Sequence, residues 1–517
     1  MDPVVEGNAA GCGRSAAGEP GSLNFVLFNP DEWRADCAGC YAPAGGDPPI
    51  VRTPNLDALA AQGTRFDQCH VQHTVCTPSR CSFMTGWYPH VRGHRTLWHL
   101  LRPDEPNLLR YLTQAGYDVR MYGKNDLLAQ ASFADSVEEA RNVPGRGHGR
   151  GNPWPEDDPR VHSFLFGPTG DPRDHHDYAC TEAGLRFLRE DHARPFCLYL
   201  PLSSPHPPYA APDPFHTLYD PALLPPLRPA GLPNKPRFYE EIRRSRRLDQ
   251  LGEATLCQIR ATYLGMISYT DWLLGELLRT LDETGLAQNT VVMVFSDHGD
   301  WAGDYGIVEK WPSGLDDALT RVPFVVRLPG GAVGHTVNTV TELLDLTPTV
   351  LDMAGIPLAH TQFGCSLVPQ LRGAAGDAGR AAFAEGGYDG NEPHDFEGKP
   401  GRDEFARAPT HIYWPKGDLQ QRDPLSVCRA TMIRTATHKL IRRPQEVSEL
   451  YDLAADPQEL HNRYDDPPYA AVQIALERRL LDWYVHTSDV TPFQEDPRGQ
   501  TAPLMGRAQT LQAALVA

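Results

Sequence analysis

The 517-residue chain has no apolar run approaching the ~18 residues that a membrane-spanning helix needs. Its opening, Met1-Asp2-Pro3-Val4-Val5-Glu6, carries neither a basic nor an apolar stretch, so no secretory signal is visible and a cytoplasmic location is expected. Positive charge is in deficit: 48 Lys and Arg against 66 Asp and Glu give a net charge of −18. That argues against a general nucleic-acid binder and against a partner at an anionic membrane. A polyanionic substrate would need a local basic pocket. No internal repeat and no long low-complexity tract is present. Paired cysteine motifs are scarce. The 11 cysteines are odd in number and scattered from Cys12 to Cys428, as in a reducing compartment. Cys37-x-x-Cys40 stands alone, with no second pair and no nearby histidine to complete a zinc site.

Glycine and proline are plentiful, 45 and 48 residues, which predicts many loops between short elements. A hydrophobic content of 41% and a charged content of 22% are those of a soluble globular protein. The length allows two domains, or one large domain with an annex.

Residues 1–21 are rich in Gly and Ala and expected to be disordered. Leu23–Phe28 is short and continuously apolar, as in a fully buried strand. Thr53–Ala60 reads as a capped helix, with Thr53 as N-cap, Pro54 in the first turn and Gly63 as a stop. Pro106–Ala115 repeats that pattern, and Tyr117–Tyr122 follows as a strand. Thr181–Arg189 with Phe196–Leu200, and Gln258–Thr284 with Val291–Phe295, are further helix–strand units. Val322–Arg327 and Leu343–Met353 add a strand and a helix. The alternation predicts an α/β fold: a large, mostly parallel sheet sandwiched by helices, spanning 22–375. Residues 127–175 break the rhythm and read as an insertion over the site. Residues 376–517 read as a smaller α+β domain. It has a loop-rich stretch over 385–423, antiparallel strands at Met432–Thr435, His438–Arg442 and Leu450–Leu453, and a helix from Tyr469 to about Val485.

The densest signal is Cys76-Thr77-Pro78-Ser79-Arg80-Cys81-Ser82-Phe83-Met84-Thr85-Gly86. Pro78 suits a first helical position, and helix N-termini favour sulfate or phosphate. Arg80 adds a guanidinium fork. A buried structural thiol beside an ordinary turn is the alternative. Acids end two apolar strands, Asp31-Glu32 after Leu23–Phe28 and Asp297-His298 after Val291–Phe295. Three carboxylates and an imidazole suit a hard cation, although each acid alone reads equally as a solvated turn. Lys124 follows the strand Tyr117–Tyr122, and Lys310 follows Ser296–Asp300; alone, each reads as a surface lysine. His206, in Pro205-His206-Pro207-Pro208, is either structural or poised at a strand end. Arg146, Arg150, His394, Arg407 and Lys416 are expected to be solvated surface charge rather than contacts to a sugar or second anion.

Together these segments, from about Asn24 to Trp483, resemble the sulfatase family of the alkaline phosphatase superfamily. The opening Asn24–Arg34, Cys76–Gly86, Tyr122–Lys124, Pro205–Pro208, Ser296–Asp300 and Glu449–Leu460 all share its order and spacing, and Asp31-Glu32-Trp33-Arg34-Ala35-Asp36 also resembles the opening of phosphonate monoester and phosphodiester hydrolases of that superfamily. The resemblance implies that Cys76 is oxidised to formylglycine by a maturation enzyme. It implies that Asp31, Glu32, Asp297, His298 and residue 76 bind one divalent metal. Ca²⁺ is the first expectation, with Mg²⁺ or Mn²⁺ open. Arg80 would fix the formylglycine, Lys124 and Lys310 would hold sulfate oxygens, and His206 would face the leaving group. One hydroxyl of the hydrated aldehyde would attack sulfur, and the second would let sulfate leave.

Two positions depart from the family. Glu32 stands where a second Asp is usual. Lys124-Asn125-Asp126 stands where many members have Lys-x-His, so Asp126 either takes the diol proton or orients Lys124. Orienting is favoured, because a carboxylate paired with an ammonium is a weak base. The activity implied is hydrolysis of an aryl or carbohydrate sulfate ester. The alternatives are a phosphonate monoester or phosphodiester hydrolase, and a non-catalytic anion-binding relative in which Cys76 stays a thiol.

Overall fold

The computed structural model describes residues 23–42, 50–145, 151–389 and 409–491. Expectations for residues 1–21 and for Arg146, Arg150, His394 and Arg407 lie outside them. The strands are β1 (Asn24–Asp31), β2 (Thr64–His70), β3 (Asp118–Tyr122), β4 (Glu139–Arg141), β5 (Phe196–Pro205), β6 (Thr290–Phe295), β7 (Phe324–Arg327), β8 (His335–Glu342), β9 (Ala382–Gly386), β10 (Ala430–Arg434), β11 (His438–Arg442) and β12 (Glu449–Asp452). The main helices are α1 (Pro54–Ala61), α2 (Cys76–Thr85), α3 (Leu108–Gln114), α4 (His176–Leu188), α5 (Glu253–Glu283), α6 (Leu346–Ala354) and α7 (Ala470–Thr487).

The large sheet has the order β4-β3-β5-β1-β6-β7-β2-β8. Every pairing in it is parallel except those of β7, which runs antiparallel to both β6 and β2. Both faces of β1 are buried: Val26 and Phe28 pack into one apolar cluster with α5, while Phe25 and Leu27 pack into another with α3 and α6. Burial on both faces is why this strand reads as a continuous apolar run rather than an alternating one. The second sheet, β12-β11-β10-β9, is antiparallel throughout and packs its Ile433, Leu440 and Leu450 against α7. No helix among the described residues is long and apolar enough to cross a membrane.

Four expectations change. The insertion is not wholly outside the sheet, since Glu139–Arg141 pairs with β3 as an edge strand. Of the stretch 385–423, residues 390–408 lie outside the described ones, and in the rest β9 runs to Gly386 and Trp414–Arg422 is helical. Helix α1 begins where expected, but Thr53 does not cap it. The Thr53 hydroxyl accepts from the Gly39 N–H at 2.7 Å, and Asp271 of α5 takes the free N–H groups of Asn55 and Leu56 at 3.1 and 2.8 Å. Finally, α2 starts at Cys76, two residues before Pro78. A proline is tolerated there because the first-turn N–H groups have no intrahelical partner.

Candidate active site

The site lies at the carboxyl ends of four adjacent strands, β3, β5, β1 and β6. That is where an open parallel sheet presents its loops. Strand β1 continues through Asp31, three residues beyond the apolar run. Side chains alternate along a strand, so Asp31 and Glu32 would point to opposite faces. Glu32 adopts φ 68°, and this left-handed turn breaks the alternation. Both acids are fully buried, as are Asp297 and His298 just after β6.

Helix α2 is buried along its whole length, and its first residue is Cys76. The Cys76 sulfur lies 3.2 Å from His298 Nε2, 3.4 Å from Asp31 Oδ1 and 3.7 Å from Lys124 Nζ. One turn later Arg80 donates from Nε to Asp297 Oδ2 at 2.8 Å and from Nη2 to Asp31 Oδ2 at 3.0 Å. Lys124 sits just past β3, where Gly123 at φ 141° lets the backbone pass the Pro201 carbonyl that a Cβ would strike. Its ammonium is 2.8 Å from both Asp31 Oδ2 and Asp126 Oδ2. His206 follows the end of β5. Its Nδ1 donates to the Pro207 carbonyl at 2.6 Å, which leaves Nε2 to accept from Lys310 Nζ at 2.7 Å. Lys310 also pairs with Glu32.

Burial alone would raise the Asp31 carboxyl, but Lys124, His206 and Arg80 more than offset it and hold Asp31 well below the usual carboxylate range. Glu32 behaves oppositely. Burial, with Asp300 and Asp31 nearby, pushes it well above that range despite Lys310. Burial and Asp31 also push the Cys76 thiol far up, so as a thiol it is a poor nucleophile here.

Donor atoms of Asp31, Glu32, Cys76 and His298 all lie within 4.8 Å of one another. Glu32 Oε2 is buried with no hydrogen-bond partner. His298 donates from Nδ1 to the Gly299 carbonyl at 3.0 Å, which turns the Nε2 lone pair inward. An orphaned carboxylate oxygen, a second carboxylate and one imidazole fit a divalent cation. Asp297, also expected as a ligand, is not in that set. Its Oδ2 is held by Arg80, and its Oδ1 accepts from the N–H groups of Glu32 and His298 at 3.2 and 3.0 Å.

All the expected residues therefore converge, but the sequence reading missed what holds them. Glu309, at φ 66°, offers its carboxylate to Arg246 at 2.8 Å, to Lys416 at 2.9 Å and to Lys310 at 3.5 Å. Lys416 is thus a buried charge and not a solvated one. Tyr209 donates to Asp300 at 2.8 Å, and Asp300 accepts from the Glu309 N–H at 3.0 Å. Asp300 had a signal, three residues after Asp297; Tyr209 and Glu309 had none.

A family model described as Sulfatase matches residues 24–356, and one described as N-sulphoglucosamine sulphohydrolase, C-terminal, matches residues 419–486. The chain is 28% identical to the multifunctional alkaline phosphatase superfamily protein PehA of Trinickia caryophylli, over 92% of this chain and 98% of that one. It is 28% identical to arylsulfatase K of Bos taurus over 62% of this chain and 61% of that one. Among solved structures, the phosphonate monoester hydrolase SpPMH of Silicibacter pomeroyi superposes with a TM-score of 0.71 at 25% identity, covering 90% of this chain and 96% of that chain.

Proposed function

The chain belongs to the sulfatase family of sulfuric ester hydrolases, and from that premise we propose that it cleaves a sulfate ester at residue 76 after Cys76 is oxidised to formylglycine. One observation carries this reading. Cys76 opens a buried helix with its sulfur against His298, Asp31 and Lys124, among donor atoms placed so that they could hold a cation.

Asp31, Glu32 and His298, together with the group at position 76, would hold one divalent metal, Ca²⁺ by preference because oxygen donors dominate. Asp297 stays in the proposed ligand set, since a carboxylate oxygen that accepts one N–H keeps a lone pair for a cation. Bound there, the metal would supply positive charge that makes a neighbouring hydroxyl nucleophilic at neutral pH. The hydrated aldehyde supplies that hydroxyl and a second one through which sulfate is expelled. Arg80 is locked by two carboxylates and fixes the geometry around position 76. Lys124 and Lys310 present ammonium groups to the sulfuryl oxygens, where charge develops as the bonds reorganise. The Lys310–His206 pair keeps a proton beside the leaving oxygen.

A second reading has specific support. The solved phosphonate monoester hydrolase and the multifunctional relative both match nearly the whole chain, and the same cations suit a phosphoryl group. Mass spectrometry of the Cys76 peptide tests the shared premise: formylglycine makes it about 18 Da lighter. Turnover of an aryl sulfate beside an aryl phosphodiester then separates the two readings. Faster diester hydrolysis by the verified formylglycine form would overturn the sulfatase assignment.

A further inference from the structure

A cavity of about 380 Å³ opens beside Lys124 and His206, within the size range of small-molecule sites. Its walls are Phe166, Pro168, Pro207, Pro208, Ala210 and Met266, with Thr169, Ser203 and Ser204 between them. The Phe166–Thr169 wall is fixed. Phe166 N–H donates to the Tyr209 carbonyl at 3.0 Å, and Thr169 N–H to the Ala211 carbonyl at 3.0 Å. Thr169 Oγ1 is buried without a hydrogen-bond partner.

Among the lining residues, Lys124 carries the only formal charge besides two histidines. That charge is already matched by Asp31 and Asp126, each at 2.8 Å. Both ring nitrogens of His206 are engaged, Nδ1 by the Pro207 carbonyl and Nε2 by Lys310. His175 accepts the Asp177 N–H at Nδ1, 3.3 Å away, and burial pushes its pKa down, ahead of the opposing pull of Asp177. Among the described residues the cavity therefore offers a leaving group apolar surface and hydrogen-bonding groups, and no uncommitted cation.

We infer that this cavity receives the leaving group and selects substrates whose only acid group is the one cleaved, an aryl ring or one uncharged sugar ring rather than a multiply sulfated saccharide. The inference rests on the sulfate-ester reading of the Cys76 centre. A second sulfate would be desolvated against Phe166, the prolines and Met266 with no uncommitted cation among the described residues to pair with, and that penalty is how a site rejects a charged analogue.

The test uses the full chain with formylglycine verified, and compares phenyl sulfate, N-acetylglucosamine 6-sulfate and N-sulfoglucosamine 6-sulfate. The expected kcat/KM for the first two exceeds that for the third by about 30-fold or more. Phe166→Lys places a cation on the wall and is expected to narrow the gap about 10-fold. Equilibrium binding of the free alcohols, N-acetylglucosamine against N-sulfoglucosamine, should show the same preference and the same shift. Equal or better turnover of the N-sulfo ester by the wild type would overturn the inference, as would alcohol binding indifferent to charge. Loss of turnover on all three esters with the binding preference intact would instead sink the sulfate-ester reading and leave the subsite standing.

Discussion

His298 Nε2 stands 3.2 Å from the Cys76 sulfur, with its lone pair turned inward because Nδ1–H is committed to the Gly299 carbonyl. Residue 76 therefore shares one small volume with the groups suited to a cation. Cys76→Ser and Cys76→Ala are both expected to lose nearly all turnover. The serine variant keeps a hydroxyl able to attack but has no second hydroxyl through which to expel sulfate. It should trap an adduct about 80 Da heavier, the mass of SO₃, visible in the intact-protein mass spectrum. Multiple turnovers by the serine variant would refute the formylglycine route.

Removing the metal should abolish activity, and Ca²⁺ should restore it more fully than Mg²⁺ or Mn²⁺. Asp31→Asn and Asp297→Ala should each lower kcat/KM by about 100-fold or more, since both carboxylates anchor Arg80 and Asp31 also belongs to the donor set. Steady-state kinetics on chelated and reconstituted protein, with metal content measured alongside, check this. Full activity in protein verified metal-free would remove the cation from the reading.

Glu309 compensates two buried cations from distant parts of the chain, Arg246 and Lys416, as well as approaching Lys310. Surrounding cations, Lys416 first, hold its carboxyl down at about 2 against the effect of burial. Glu309→Gln leaves those cations uncompensated and should cost about 3 kcal/mol or more. Lys416→Met should cost less, because Arg246 and Lys310 still serve the carboxylate. Melting temperatures of the two variants give the order, and the reverse order would contradict the assignment of Glu309 as the hub.

A pH-dependent contribution to stability comes from His94 and Glu105, whose side chains meet at 3.1 Å. Burial disfavours charge on both. The Cys81 sulfur and Glu105 nonetheless raise His94 from 6.5 to about 10, and His94 and Arg102 lower Glu105 from 4.5 to about 2. The raised histidine stabilises fully below pH 6.5 and loses that contribution as pH climbs through about 10. The lowered carboxylate stabilises above pH 4.5 and loses that contribution as pH falls through about 2. The melting-temperature penalty of His94→Gln should therefore be greatest between pH 4.5 and 6.5 and shrink toward alkaline pH. A penalty constant from pH 5 to 10 would exclude the ion pair as its source.

The parallel core was legible because β1, β5 and β6 are buried on both faces and written in apolar residues. Strand β2 was not. Arg65 and Asp67 pair with each other on its exposed side at 2.6 Å, so the segment reads as polar. Strand β9, Ala-Phe-Ala-Glu-Gly, carries small residues of low strand propensity and is fixed by pairing with β10 instead. The residues that gather at the candidate site were legible through a motif and through acids at strand ends. Glu309 and Lys416 meet across 107 positions of sequence, a contact set by tertiary packing that no local pattern encodes.

The Asp126 carboxylate lies 2.8 Å from the Lys124 ammonium. Asp31 approaches the same ammonium at 2.8 Å, so two carboxylates fix one lysine beside the Cys76 sulfur. Asp126 and Asp31 hold that ammonium together, an arrangement that suits orienting Lys124 over proton transfer in the step that releases sulfate. The effect of Asp126 should pass through the position of Lys124. Asp126→Asn keeps the shape but removes the charge, and is expected to raise KM and lower kcat by about 10-fold each without changing which step is slow. Rapid mixing decides the matter. A single steady rate from the first turnover supports an orienting role. A burst of leaving group followed by a much slower phase would mean that sulfate release had become limiting, and would make Asp126 the base.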